Sequence, residues 1–313
     1  MSPPVVLVSD PLPGVLLAEL ATDFDVRRCD GTDRSELLAA VPGAEALIVR
    51  SATRVDQEVL KAASRLRIVA RAGVGLDNID VGAAGRAGVL VANSPDSNVV
   101  SVAELAVGLI VALARPFADA SSSVHAGEWR RADFQGVELA GRTAGIVGFG
   151  RVGQLVATRL GAFGMRIVAH DPFAREELER AGVPGLGLNE VMRRSDVLTL
   201  HVPLTDGTRD LIGDPELALA RPTLHLVNTA RGGIVDETAL ARALREGRIA
   251  GAAVDVFADE PPRDSPLIGL PNVIATPHIG AGTPQAQERA GRDAVRAVRQ
   301  AFAAVPPAGA GAL

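Results

Sequence analysis

The run from Thr143 to Asp171 restricts this chain more than any other, because it spells strand, glycine turn, helix and second strand without a break. Thr143, Ala144, Gly145, Ile146 and Val147 form a short apolar run that leads directly into Gly148-Phe149-Gly150-Arg151-Val152-Gly153, a G-x-G-x-x-G pattern. From Gln154 to Phe163 the apolar residues Leu155, Val156, Leu160 and Phe163 recur at helical spacing, and Met165 to His170 is a second buried-strand run ending on Asp171. Each glycine has a physical task. Gly148 permits the tight turn, Gly150 lets backbone approach a pyrophosphate, and Gly153 lets the helix pack on the strand. The helix N-terminus adds free N–H groups and partial positive charge for phosphate. Asp171 is placed to accept ribose hydroxyls, which favours NAD over NADP because a ribose phosphate would meet a carboxylate.

With 313 residues the chain can form two domains of ordinary size. Aromatic residues make up 3% and tyrosine is absent, so the cores must be aliphatic. A net charge of −5 argues against nucleic acid or an acidic membrane as the main partner, although local arginines can still bind a small anion. The single cysteine, Cys29, excludes an intrachain disulfide and a cysteine-based metal cluster, and no metal is expected. The start, Met1 to Val8, lacks a basic segment and its apolar run stops at Asp10, so no signal peptide is expected. Apolar runs such as Ala103 to Ala114 are too short to span a bilayer. A reducing cytoplasm is the expected compartment.

Before the glycine turn, β-prone runs at Val5–Val8, Val26–Arg28, Ala46–Val49, Arg67–Ala70 and Val89–Ala92 alternate with helical patterns at Leu12–Ala21, Arg34–Val41, Asp56–Ala63 and Ile79–Ala87. After it, strands are predicted at Val197–His201, Leu224–Asn228, Ala252–Asp255 and Val273–Ala275. Such alternation specifies parallel sheets covered on both faces: an α/β chain with two doubly wound units. Ser101-Val102-Ala103-Glu104 reads as a capping box opening a long helix that reaches about Leu113 or Ala118. Ala120 to Leu139 shows no clear periodicity and holds Trp129, Arg130 and Arg131, as surface loop or interface. A last helix is predicted over Pro284–Ala304, with a frayed Pro/Gly/Ala-rich tail from Val305.

Ligands of open parallel sheets sit beyond the carboxyl ends of the strands. Three late loops bring polar groups to such ends: Asn228 to Gly233, Asp255 to Pro262 and Thr276 to Gly280. Arg231 suits a carboxylate through paired hydrogen bonds. His278 can exchange a proton with an alcohol near neutral pH, and Glu260 can orient its ring. Arginine, acid and histidine beside NAD suggest oxidation of a 2-hydroxy acid or its reverse. The blander alternatives are an Arg231 that caps a glycine turn, an exposed Glu260 before Pro261-Pro262 and a satisfied core His278. His125, His170, His201 and His225 are weaker candidates. In the first half, Arg50, Arg71 and the turn Gly73-Val74-Gly75 also stand at strand ends.

Asn228 to Glu237, Gly251 to Phe257 with Glu260-Pro261-Pro262, and Pro271-Asn272-Val273 with Thr276 to Ala281 together resemble the signatures of the D-isomer-specific 2-hydroxyacid dehydrogenases. Within that family Leu47 to Thr53, Arg71 to Asp80 and Gly136 to Leu139 resemble the phosphoglycerate dehydrogenase branch. The resemblance implies a Rossmann NAD-binding domain, 99–282, inserted into a flavodoxin-like substrate-binding domain made of 1–98 and 283–313. It implies that Arg231 binds the substrate carboxylate, that His278 is the acid–base and that Glu260 is the carboxylate partner of His278. Backbone around Arg151 and Val152 would hold the pyrophosphate, Asp171 the ribose and Asp255 the nicotinamide carboxamide. Val202, Thr229, Ala230, Arg231, His278 and Gly280 would line the cofactor. Backbone N–H groups at Val74 and Gly75 would assist Arg231, and Arg50, Arg71 and Arg131, the last from a second subunit, would meet a substrate phosphate. The implied reaction is NAD-dependent oxidation of 3-phospho-D-glycerate, the entry to serine biosynthesis, by a homodimer or homotetramer. The chain stops soon after the last helix, so a carboxyl-terminal regulatory domain is not expected. Two alternatives are a hydroxypyruvate or glyoxylate reductase with a neutral pocket, and an NAD-sensing protein like the corepressors that resemble this family.

Overall fold

The computed structural model describes residues 2–303; the expected tail from Val305 lies outside them. The chain divides into two compact units, one of residues 1–98 and 281–313 and the other of residues 99–280. The second division falls between Gly280 and Ala281, two residues before the expected 282/283 boundary.

The first unit has five strands, β1 Val5–Val8, β2 Asp25–Arg28, β3 Ala46–Val49, β4 Ile68–Arg71 and β5 Leu90–Ala92. All pair in parallel, in the order β2-β1-β3-β4-β5. Parallel pairing follows from the helices between successive strands, since a tight turn cannot return the chain in the same direction. Central strand β3 is apolar and buried along its whole length, as a strand covered on both faces must be. Asp33, Asp56 and Asp80 start the helices that follow by accepting backbone N–H groups in their first turns.

The helix Pro284–Ala303 completes this unit. Ala290, Ala294, Val295, Val298 and Ala301 share an apolar cluster with Leu16, Leu20, Phe24, Ile48 and Ile68. Gly291 leaves room for Leu16: a Cβ on it would stand 2.4 Å from Leu16 Cδ1, which would have to shift. Arg299 pairs with Glu19 and Asp23, and the Phe302 ring lies edge-on to Phe24 at 5.3 Å and under the Arg67 guanidinium.

The second unit has six parallel strands, β6 Thr143–Val147, β7 Arg166–His170, β8 Val197–Leu200, β9 His225–Asn228, β10 Gly251–Val254 and β11 Val273–Ala275. Their order, β11-β10-β9-β8-β6-β7, reverses direction between β6 and β8. The crevice beyond the carboxyl ends at such a reversal is where open sheets bind ligands. One face is covered by Leu240, Leu244, Leu217 and Met192, the other by Ala106, Ile110, Val156 and Leu160.

Two local expectations need correction. The helix read from a capping box at Ser101 starts earlier, at Val99, so Ser101 lies buried inside its first turn. Asn98, a residue type that favours helix starts, stands directly before it. That helix ends at Ala114 because Pro116 follows, and a second helix, Phe117–His125, leaves it at 67°. The region read as irregular from Ala120 thus begins inside a helix whose polar serines masked its period. No single helix among the described residues is long and apolar enough to cross a membrane.

Leu16 is fully buried against Gly291, whereas Val15 is 62% exposed. Leu16→Ala is expected to destabilise the protein by about 2–5 kcal/mol in urea unfolding, and Val15→Ala by less than about 0.5 kcal/mol.

Candidate active site

The glycine turn follows β6 at the reversal point. Gly148 has φ +91°, and a Cβ on it would stand 2.5 Å from the His201 carbonyl oxygen, so only glycine suits that position. Gly153 lies in the first turn of the helix Arg151–Ala162, where a Cβ would come within 2.1 Å of the Gly148 carbonyl oxygen. Gly150 differs: it is the N-cap, no side chain caps the helix, and a Cβ there would meet nothing within 4 Å. A helix start with no side-chain cap and room beside Gly150 fits a pyrophosphate held by the backbone around Arg151 and Val152. Asp171, at the end of β7, accepts the Phe149 and Phe173 N–H groups through different carboxylate oxygens. It lines a cleft of about 430 Å³ with His170, Arg175, Leu178 and Leu186, large enough for part of an adenosine. Thr229, after β9, is almost fully buried and its hydroxyl has no hydrogen-bond partner, as a group awaiting a ligand would. Val202 lies just beyond β8.

Beyond the ends of β9, β10 and β11 three loops converge. Asn228, buried at the end of β9, organises the first: its side-chain oxygen accepts the Ala230 N–H and its amide donates to the Arg231 carbonyl. Arg231 donates to the Ala230 carbonyl at 2.7 Å. A Cβ on Gly232 would lie 1.8 Å from the Phe257 carbonyl oxygen, so this glycine is what lets the first two loops touch. His278 Nδ1 lies 2.8 Å from Glu260 Oε2 and 3.1 Å from Oε1, and Glu260 Oε1 also accepts the Phe257 N–H. This contact fixes the ring and leaves Nε2 as the nitrogen not engaged by Glu260. His278 has φ +53°, uncommon for a residue with a side chain.

The backbone of that turn is held by Asp255. Its side chain, fully buried, accepts the Thr276 hydroxyl and the Ile279 N–H on Oδ1 and the Gly280 N–H on Oδ2. Asp255 thus supports the backbone of the histidine turn.

Of the weaker histidine candidates, His125 is exposed at the end of the helix Phe117–His125 and the other three are partly buried. His201 is half-buried, with Nε2 3.0 Å from the Thr199 hydroxyl, and desolvation of its ring pushes its pKa down to about 3. The pKa of His225 is lowered by burial and, to a lesser degree, by the nearby Arg142 charge. His170 Nδ1 lies 3.0 Å from the Leu186 carbonyl oxygen.

In the first unit, Arg50 follows β3 and Arg71 ends β4. The Arg50 backbone is held on both sides, its N–H by Asp10 at 2.6 Å and its carbonyl by the Asn78 amide at 2.8 Å. The Arg71 side chain folds back across Gly73 and donates to the Ala72 carbonyl. Val74 and Gly75 lie in the following turn, where the Asn93 amide donates to the Val74 carbonyl. Arg131, in the second unit, is exposed in a single helical turn, Arg131–Asp133.

The family model described as "D-isomer specific 2-hydroxyacid dehydrogenase, NAD binding domain" matches residues 107–280. The chain belongs to this family. It is 50% identical over 304 residues, 97% of its length, to the D-3-phosphoglycerate dehydrogenase of Mycobacterium leprae, and spans 58% of that protein. A crystal structure of a protein from Thermus thermophilus matches it with a TM-score of 0.87 and 36% identity, covering 97% of this chain and 98% of that one. The D-lactate dehydrogenase of Aquifex aeolicus, solved with NAD and lactic acid, matches with a TM-score of 0.84 and 31% identity over 96% of this chain and 95% of that one.

The supporting contacts of Asn228 and Asp255 in the second unit, and of Asp10 and Asn78 in the first, were not read from the sequence. Asp10 ends an apolar run and Asn228 ends another, which is the one local signal they carry.

Gly153→Ala must displace backbone and is expected to cost about 1–3 kcal/mol of stability. Gly150→Ala is expected to keep the wild-type melting temperature and to weaken NADH binding in a fluorescence titration. For His201, the folded pKa lies below that of the unfolded chain, so its contribution to stability is full above about pH 6.5 and falls as pH drops toward about 3. In that window His201→Gln is expected to unfold with a pH dependence smaller by about one proton, measured by urea melts at successive pH values.

Proposed function

We propose that this chain oxidises a D-2-hydroxy acid with NAD, and that 3-phospho-D-glycerate is its substrate, giving 3-phosphooxypyruvate at the entry to serine synthesis. The observation that carries the reading is the His278–Glu260 pair, held at 2.8 Å beside the loop of Arg231. The NAD nicotinamide, when bound, supplies the hydride acceptor. Arg231 pairs with the substrate carboxylate and orients its C2 hydroxyl. His278 Nε2 takes the hydroxyl proton as the C2–H bond breaks, and the Glu260 carboxylate stabilises the imidazolium that forms. Reduction runs the same steps backward, with His278 returning the proton. The open turn at Gly150 and the carboxylate of Asp171 support NAD as the cofactor.

The phosphorylated substrate is favoured by the 50% identity to the phosphoglycerate dehydrogenase of Mycobacterium leprae. The chain spans 58% of that protein. Arg50, Arg71 and Arg131 are assigned to the phosphate, with Val74 and Gly75 N–H groups at the carboxylate. Residues 99–280 form the cofactor domain and the remainder the substrate domain. Arg131 acts from a second copy in a homodimer or homotetramer, and the exposed apolar side chains Phe117, Val124 and Trp129 near it suit such an interface. The cytoplasm, which supplies both NAD and the phosphorylated acid, is the assigned compartment. The second reading, a reductase of an unphosphorylated 2-oxo acid, is favoured by the likeness to the D-lactate dehydrogenase structure.

Initial rates with NAD, 3-phospho-D-glycerate and unphosphorylated D-2-hydroxy acids distinguish these. Preference for the phosphorylated acid, lost in His278→Ala, is expected. Arg50→Glu with Arg71→Glu is expected to raise KM for that acid by about tenfold or more, the equivalent of ~1.4 kcal/mol, and to change KM for an unphosphorylated acid much less. Equal effects would overturn the phosphate assignment. Fast reduction of glyoxylate or hydroxypyruvate with the phosphorylated acid inert would establish the second reading. NADH binding without turnover of any of these would point to an NAD-sensing protein.

A further inference from the structure

The loop that carries Glu260 has little of its own to hold it. Residues 258–265 form no helix or strand and are mostly exposed, and Pro261 and Pro262 have no N–H to donate. Within the loop, the Arg263 N–H reaches the Pro261 carbonyl at 2.9 Å and the Ser265 N–H reaches the Pro262 carbonyl at 3.4 Å. Glu260 nonetheless meets His278 at hydrogen-bond distance. The restraint comes from a residue far away in sequence. Glu237 Oε1 accepts the Ala258 N–H at 2.7 Å, and Oε2 accepts the Ser265 hydroxyl at 2.5 Å. One half-buried carboxylate thus ties both ends of the segment that bears Glu260.

Glu237 is free for this task because its neighbour performs the one usual at that place. It is the first residue of the helix Glu237–Arg245, where an acid commonly serves the helix start. Here Asp236 caps the helix by accepting the Thr238 and Ala239 N–H groups, and Glu237 turns outward to the loop. The hydrogen bonds are charge-assisted, the stronger class. The helix is anchored by buried Leu240 and Leu244, so the tether joins an exposed loop to a rigid element.

We propose that Glu237 is a positioning residue that holds the 258–265 loop so that Glu260 meets His278. The inference rests on the proposed roles of Glu260 and His278, but its first test does not require turnover. The chain has 5 histidines, so the His278 ring signals can be assigned in a ligand-free NMR spectrum by comparison with His278→Ala. In Glu237→Ala those signals are expected to move toward their positions in Glu260→Gln. In Glu237→Gln they are expected to stay near wild type, because a glutamine can accept from Ala258 N–H and donate to the Ser265 hydroxyl. With the substrate that the wild type turns over best, Glu237→Ala is expected to lower kcat about tenfold with little change in KM. In the Glu260→Gln background the same substitution is expected to lower kcat no further. Ser265→Ala, which removes one tether, is expected to show the same pattern at smaller size and serves if Glu237→Ala does not fold. His278 signals that remain at wild-type positions, or an equal kcat loss with and without Glu260, would overturn the proposal. Failure of the catalytic reading is separate: it would appear as full activity in His278→Ala, whatever the spectra show.

Discussion

A fully buried carboxylate, that of Asp255, holds the turn on which His278 stands. A charged group out of reach of water must be met by donors, because leaving it unmet costs far more than a neutral hydrogen bond returns. Asp255 finds its donors in the Thr276 hydroxyl and in the backbone N–H groups of Ile279 and Gly280, on either side of the histidine. These bonds offset the strain of a side-chain residue at φ +53° and give His278 a fixed backbone from which to reach Glu260.

The same arrangement recurs at the other two loops. Arg231 projects from a turn whose backbone is bonded to the buried Asn228 side chain. Glu260 projects from a loop tied at both ends by Glu237, and the approach of Gly232 to Phe257 joins the two. Each group suited to chemistry is therefore at least partly accessible, and behind each stands a polar residue on a strand end or helix start. Exposure keeps the reacting groups available to solvent-borne ligands, while the supports restrict their motion. Preorganisation of this kind leaves less ordering to be done when ligand binds.

How much of this was legible in the chain differs by level. The strands followed from apolar runs, because strands buried on both faces admit almost nothing else. The glycine turn was legible for a related reason: Gly148 and Gly153 meet backbone atoms so closely that no side chain fits, and such demands leave a pattern in sequence. The helix Phe117–His125 was missed because its serines conceal the apolar period, and Ser101 was mistaken for a cap because a serine before a glutamate reads alike outside a helix and in its first turn. Arg231, Glu260 and His278 were singled out by residue type and by their places after predicted strands.

The supports were not legible. Glu237 and Ser265, or Asp255 and Gly280, are far apart in sequence, and an acid at a helix start ordinarily serves that helix. Sequence alone determined the alternation of strand and helix, the glycine turn that opens the helix Arg151–Ala162 and the candidate chemical groups, since these depend on local sterics and on periodic burial. The tertiary structure alone decided which buried polar atoms meet which donors and that Asp255 holds the histidine turn, and it set the expected Glu260–His278 pair at 2.8 Å. Those pairings depend on distances between loops brought together by the order of strands in a sheet, and no local pattern encodes them.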